Sequence, residues 1–194
     1  AGLSRLQFRS VADRFVNKAT WPVLLVPAGI TAALPGFRNV LYAADSSSGS
    51  NEVLATAAKL ASESGGRLML LHVLHDAVPR HRSHFAVPEF GRLMLRDARE
   101  RLDSTLKKEN VDADVRVTVT HAPIHDEIVR IAAEERADLV VIGPTRRTRL
   151  GRRFLGSTAA AVSRRSPRPV LFVPTGHVKR AVSPQDELAL GWAA

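Results

Sequence analysis

Between residues 36 and 174, five short aliphatic runs alternate with four stretches of helical periodicity, and that alternation leaves few architectures open to the chain. The runs, at 39–44, 67–74, 113–120, 138–143 and 168–174, are rich in Val, Leu and Ile and only six to eight residues long, which favours strands over helices. Between them, Val53, Leu54, Ala57, Ala58 and Ala61 recur at helical spacing, as do Leu93, Leu95, Leu102 and Leu106, and then Ile124, Ile128, Ile131 and Ala132. Residues 156–166 read as a short alanine-rich helix opened by Gly156-Ser157. The order βαβαβαβαβ predicts an α/β domain with a mostly parallel sheet and helices on both faces, because parallel neighbours need a crossover.

The first thirty-odd residues fall outside that unit, but they share residues with its end. Shifting the chain by 147 positions, without a gap, lays Leu3 on Leu150, Arg5 on Arg152, Ser10 on Ser157 and Ala12 on Ala159. Pro22-Val23-Leu24 then falls on Pro169-Val170-Leu171, and Val26-Pro27 on Val173-Pro174. A helix followed by a Pro-Val-Leu strand therefore occurs twice, one domain length apart. Residues 1–28 are expected to be the closing helix and strand of an upstream copy, residues 36–174 a complete domain, and residues 175–194 a loosely held tail with a Ser183-Pro184 turn signal. An unrelated amphipathic helix and strand is the plainer alternative for the first segment. Residues 23–26 and 170–173 are both sheet-edge candidates, and exposed edges seek partners. They are expected to pair antiparallel.

Composition narrows the function. The 194 residues include no cysteine, which removes disulfides, thiolate metal sites and cysteine nucleophiles together and fits a reducing compartment. No apolar run approaches the roughly 18 residues that span a bilayer, and the first residues lack a signal-peptide pattern, so a soluble, cytoplasmic protein is expected. The net charge is +9, and nearly all of the excess lies in one place: eight arginines and no acid stand between Pro144 and Pro169 (Arg146, Arg147, Arg149, Arg152, Arg153, Arg164, Arg165 and Arg168). A nucleic-acid surface spreads its basic residues over a face and interleaves aromatic groups. This concentration points to a local anion site or contact patch.

In open α/β sheets ligands gather beyond the carboxyl ends of the strands, where the strand order reverses. Three segments are expected to meet there: Asp45 with the polar loop Ser46-Ser47-Ser48-Gly49, Val73-Leu74, and Gly143-Pro144-Thr145-Arg146 leading to Gly156-Ser157. A helix start offers unpaired N–H groups and a positive dipole end, and glycine lets an anion approach the backbone. Ser157 could instead cap its own helix. Arg152 and Arg153 precede the positive end of that helix, a conflict an anion would relieve, whereas Arg164 and Arg165 at its negative end are explained by the dipole alone. Asp45 could accept from a sugar hydroxyl or an amino group, or serve as a turn or helix-cap residue. His72 lies in a strand; His75, His81 and His84 read as loop residues without zinc-motif spacing. No Walker-type, dinucleotide-binding, zincin or nucleophile-elbow motif is present, and no spacing singles out a catalytic triad.

The runs Val40-Leu41-Tyr42-Ala43-Ala44-Asp45, Ala57-Ala58-Lys59-Leu60-Ala61 and Leu70-Leu71-His72-Val73 resemble the opening half of a universal stress protein domain. Asp126-Glu127-Ile128-Val129, Ala137 through Gly143, and Gly156-Ser157-Thr158-Ala159 through Leu171 resemble its closing half. The resemblance implies an open five-stranded parallel α/β sheet, Rossmann-like and of the adenine-nucleotide α-hydrolase type. It implies a stress-response module, regulatory or dimerising, that binds ATP or a related adenine nucleotide rather than an enzyme, with a non-binding interaction scaffold as the alternative and slow nucleotide hydrolysis behind both. Members that bind ATP carry Gly-x-x-Gly, nine residues, then Gly-Ser/Thr. Gly143 and Gly156-Ser157 match, but Arg146 replaces the second glycine, where it could occlude the pocket or hold phosphate through its guanidinium. By the same resemblance Asp45 lies near the adenosine and the Val73 backbone meets adenine. The upstream copy has Arg9-Ser10 where Gly-Ser is expected. The partner implied is a second such domain, in the same chain or in a homodimer joined through the last strand.

Overall fold

The computed structural model describes residues 16, 19–28, 30, 36–45, 50–76, 88–144 and 156–175. Six strands, β1 (Val23–Leu25), β2 (Asn39–Ala43), β3 (Arg67–His75), β4 (Asp114–Thr120), β5 (Leu139–Ile142) and β6 (Val170–Phe172), form one sheet in the order β1-β6-β5-β2-β3-β4. Four helices separate the last five: α1 (Ser50–Glu63), α2 (Pro88–Glu109), α3 (Ile124–Glu134) and α4 (Ser157–Arg165). Every predicted element from β2 onward is found, within a few residues at each end.

The five-stranded parallel sheet needs one correction. Strands β2 to β6 are parallel to their neighbours, but β1 adds to β6 antiparallel, so the sheet has six strands and is mixed. The pairing expected for residues 23–26 and 170–173 is the one observed, with Val23 opposite Phe172, Leu24 opposite Leu171 and Leu25 opposite Val170.

Side chains alternate along the strands, so the sheet has two cores. Val40, Tyr42, Leu68, Leu70, Leu139 and Val141 pack beneath α1 and α2. Leu41, Leu71, Val140, Ile142, Val170 and Phe172 pack beneath α3 and α4, together with Val16. One sequence-based assignment fails here: Leu93 is 62% exposed, and α2 presents Ala98, Leu102 and Leu106 to the core instead.

The helices stop for a local reason. After α1, Gly65 takes a left-handed φ of 58°, its N–H donates to Ser62 O at 3.0 Å, and the Gly66 N–H reaches Ala61 O at 2.8 Å. That double closure satisfies carbonyls the helix would leave open. Asn110 (φ 52°) and Arg136 (φ 53°) end α2 and α3 with the same bonding pattern, each turning the chain into the next strand. Asp138 then fixes the entry to the sheet, its Oδ2 accepting from Arg38 N at 3.1 Å and Asn39 N at 2.9 Å. This holds the starts of β2 and β5 side by side. The crossovers leave β2 towards β3 on one face and return to β5 on the other, so the order reverses between β2 and β5.

Candidate functional site

At that reversal a cleft of about 170 Å³ opens beyond the strand ends. Ala43, Ala44 and Gly143 come from the ends of β2 and β5, and Val73 from β3. Ile124 and Ile128 of α3 form an apolar wall, while Thr158 and Ala159 bring the first turn of α4 to the edge. Asp45 stands exposed at the rim and makes its own interactions there. Three predicted site residues, Asp45, Val73 and Gly143, thus line one space. Gly156 and Ser157 adjoin it through Thr158. Arg146, with Arg147, Arg149, Arg152 and Arg153, lies outside the described residues, as do Ser46 to Gly49, Arg9-Ser10 and the tail beyond Thr175.

Gly156 occupies the cap position of α4, with φ −58° and ψ 156°, and no side chain caps that end. Ser157 is the first helical residue and is exposed, so it does not cap its own helix as the plainer reading had it. The first-turn N–H groups have no intrahelical partner and face the positive end of the dipole. An oxyanion fits that donor set.

Gly143 has a packing reason as well. A Cβ there would stand 2.9 Å from Val53 Cγ2, closer than a buried valine allows without moving. Val53 belongs to α1, so this glycine lets α1 lie close over the end of β5.

His72 donates from Nδ1 to the Ala44 carbonyl at 2.9 Å, so Nδ1 carries a proton. The bond ties the exit of β2 to β3 at the cleft. His75 is the last residue of β3, paired with Thr120, rather than a loop residue; His81 and His84 lie outside the described residues.

The wall formed by α3 is anchored by charge. Arg130 donates to Glu127 at 2.8 and 3.0 Å and to Glu134 at 2.8 Å, and Arg116 from β4 reaches Glu135 at 2.6 Å. The hydrogen bond from Arg130 holds the Glu127 carboxyl below its usual pKa, against a smaller upward push from burial. Arg165 pairs with Asp126, so it ties α4 to α3 besides complementing the dipole. The spacing of four between Ile124 and Ile128 marks a buried face whether it meets a strand or a ligand. No sequence signal separates those cases.

The sequence pattern of the universal stress protein family matches residues 36–174. Universal stress protein G of Shigella flexneri is 32% identical over 119 residues, covering 60% of this chain and 83% of that protein. A universal stress protein structure from Archaeoglobus fulgidus superposes with a TM-score of 0.52 at 25% identity, over 70% of this chain and 96% of that one. A functionally unknown Pseudomonas aeruginosa protein reaches a TM-score of 0.61 at 17% identity, a likeness of fold; it covers 84% of this chain, which spans only 55% of that longer structure. Among the described residues no helix is long and apolar enough to cross a membrane.

Proposed function

The chain belongs to the universal stress protein family, and from that premise we propose that its cleft binds ATP or a related adenine nucleotide and that the domain acts in the cytoplasm as a regulatory module of the stress response. The observation that carries this reading is the start of α4: a glycine cap with no side chain over it, opening onto an apolar cleft whose rim bears a carboxylate. The volume of about 170 Å³ is below the roughly 300–1,000 Å³ of whole small-molecule pockets. It suits the base and part of the sugar, with the phosphates outside it along α4.

In this arrangement Ile124, Ile128 and Val73 exclude water from the base, and the Val73 backbone reads its edge. Asp45 accepts from a ribose hydroxyl. The N–H groups of Ser157 and Thr158, with the Ser157 hydroxyl, donate to phosphate oxygens. A guanidinium at Arg146 that held phosphate would supply a charge-assisted hydrogen bond worth about 1.5–3 kcal/mol, and one that filled the pocket would oppose binding. Gly143 contributes by keeping α1 close.

A second reading is an interaction scaffold without nucleotide. It is favoured by Gly143, whose missing side chain is already accounted for by Val53. Calorimetry with ATP separates the two. Measurable binding that Gly156→Asp abolishes supports the cradle, because the new carboxylate stands against the phosphates. The Arg146→Gly variant then assigns the arginine: equal or weaker binding means it holds phosphate, and binding gained from none means it blocks. No ATP binding in either the parent or the glycine variant leaves the scaffold.

A further inference from the structure

Strand β3 outlasts β2. The pairs between them run from Asn39 with Arg67 to Ala43 with Leu71 and stop there, while β3 continues to His75 against β4. At both ends of the shared stretch the bonding residues of β3 are odd-numbered: the Arg67 N–H donates to Arg38 O at 2.7 Å, and Leu71 O accepts from the Ala44 N–H at 2.8 Å. In a parallel ladder every second residue turns both its N–H and its C=O to the same neighbour, so Val73 turns its own towards β2. The next bond of the series would run from the Val73 N–H to the Ala44 carbonyl. It is not formed, since it would add Ala44 with His72 to the register, which ends one pair earlier. The Ala44 carbonyl accepts from His72 Nδ1 at 2.9 Å instead, and the Val73 N–H is left without a partner on β2 among the described residues.

We propose that His72 is a positioning residue of the cleft: by taking the Ala44 carbonyl it ends the ladder one bond early and keeps the Val73 N–H open to a ligand. The ring works from behind. His72 shares its face of β3 with Leu70, beneath α1 and α2, and borders there a second cavity of about 210 Å³ with Tyr42 and Leu102. Ile124 and Ile128 close the cleft from the opposite face. Ala44 and Val73 both line the cleft, so the N–H that is spared is one a ligand meets. Without the ring the Ala44 carbonyl needs a new donor, because a partly covered backbone acceptor left unpaired is costly, and the Val73 N–H is the one the ladder supplies. Ladder and ligand then compete for a single N–H. The bearing of this on function rests on the cleft being an adenine-nucleotide site: an adenine edge carries a ring-nitrogen acceptor beside an amino donor, and the Val73 N–H meets that acceptor.

Solution NMR tests the placement with no ligand added. In the full chain the His72 ring is expected with its proton on Nδ1, and no coupling across a hydrogen bond should join the Val73 nitrogen to the Ala44 carbonyl carbon. His72→Leu keeps apolar bulk but removes the donor; that coupling should then appear, and exchange of the Val73 amide should slow about tenfold. His72→Asn sets an amide Nδ2 where the ring has Nδ1, and should leave Val73 as in the parent. A parent that carries the coupling, or whose Nδ1 is bare, overturns the proposal, as does a folded His72→Leu chain in which Val73 is unchanged. If His72→Leu does not fold, the parent and His72→Asn decide, the latter by keeping the Val73 amide open or, against the proposal, closing it. Calorimetry with ATP reads the consequence: affinity should fall about two- to tenfold in His72→Leu and return in His72→Asn. Equal affinity in the parent and His72→Leu overturns the role in binding. If ATP does not bind the parent, the nucleotide reading fails, and the coupling and the tautomer still decide whether His72 holds the Val73 N–H open.

Discussion

The two outer strands of the sheet are built on opposite plans. β4 is surrounded by charge: Arg99 covers a carbonyl of the strand, and Arg116, Glu134 and Glu135 form a linked set beside it. β1 has no ionisable residue from Ala19 to Ala28, and Trp21, Leu24 and Val26 are exposed along it. Charged side chains discourage strand addition, and an apolar edge without them invites it. The contrast deepens when β1 is set beside β6, which shares its Pro-Val-Leu run. Leu24 is 38% exposed and Val26 45%, whereas Leu171 is 9% exposed and Val173 is wholly buried. One sequence pattern thus serves as a surface strand and as a core strand, and the difference lies in what covers it.

The largest effect that can test this contrast comes from the same change made after each of the two strands. Val173→Asp is expected to cost about 3–5 kcal/mol, an uncompensated charge in the core, while Val26→Asp stays within about 0.5 kcal/mol. Urea unfolding of the two variants measures the gap; equal losses would mean that β1 is as enclosed as β6. At the charged edge, Arg116→Ala should lower stability by about 1 kcal/mol, since the guanidinium is mostly shielded and serves two carboxylates.

Acid should then distinguish the edges. Glu127 titrates below the usual carboxylate value of 4.5 because Arg130 donates to it, so its contribution is complete above that value and is lost as pH falls through the lower, folded one. Amide protection, taken relative to the intrinsic exchange rate at each pH, is expected to fall in β4 and α3 as the pH drops below 4.5, with Arg130→Gln flattening that response. The ladder between β1 and β6, where no such carboxylate sits among the described residues, should show no step of this origin. The smallest effect is Arg99→Ala, with a stability change within about 0.5 kcal/mol. Its readout is association on mild heating, which should rise as the Val115 carbonyl is uncovered.

Much of the candidate site could be read in advance because it rests on a rule of topology. Asp45 and Gly143 follow the ends of β2 and β5 and Val73 lies near the end of β3, and strand ends adjacent to the reversal converge whatever the loops do. The apolar wall could not be read, since Ile124 and Ile128 obey the same periodicity as Ile131, which is core. Nor could the role of Gly143 against Val53, because that contact joins residues ninety positions apart.

The sequence by itself determined the order of elements, their faces and their ends. Those follow from side-chain periodicity and from left-handed turns at Gly65, Asn110 and Arg136, which are interactions within a few residues of chain. Tertiary structure decided which of the two Pro-Val-Leu strands became core, that the uncapped start of α4 lies beside a cleft, and which isoleucines face it. These are questions of what lies across from a residue in space. Burial is set by the layer packed above a side chain, and two identical local sequences carry no record of having different neighbours.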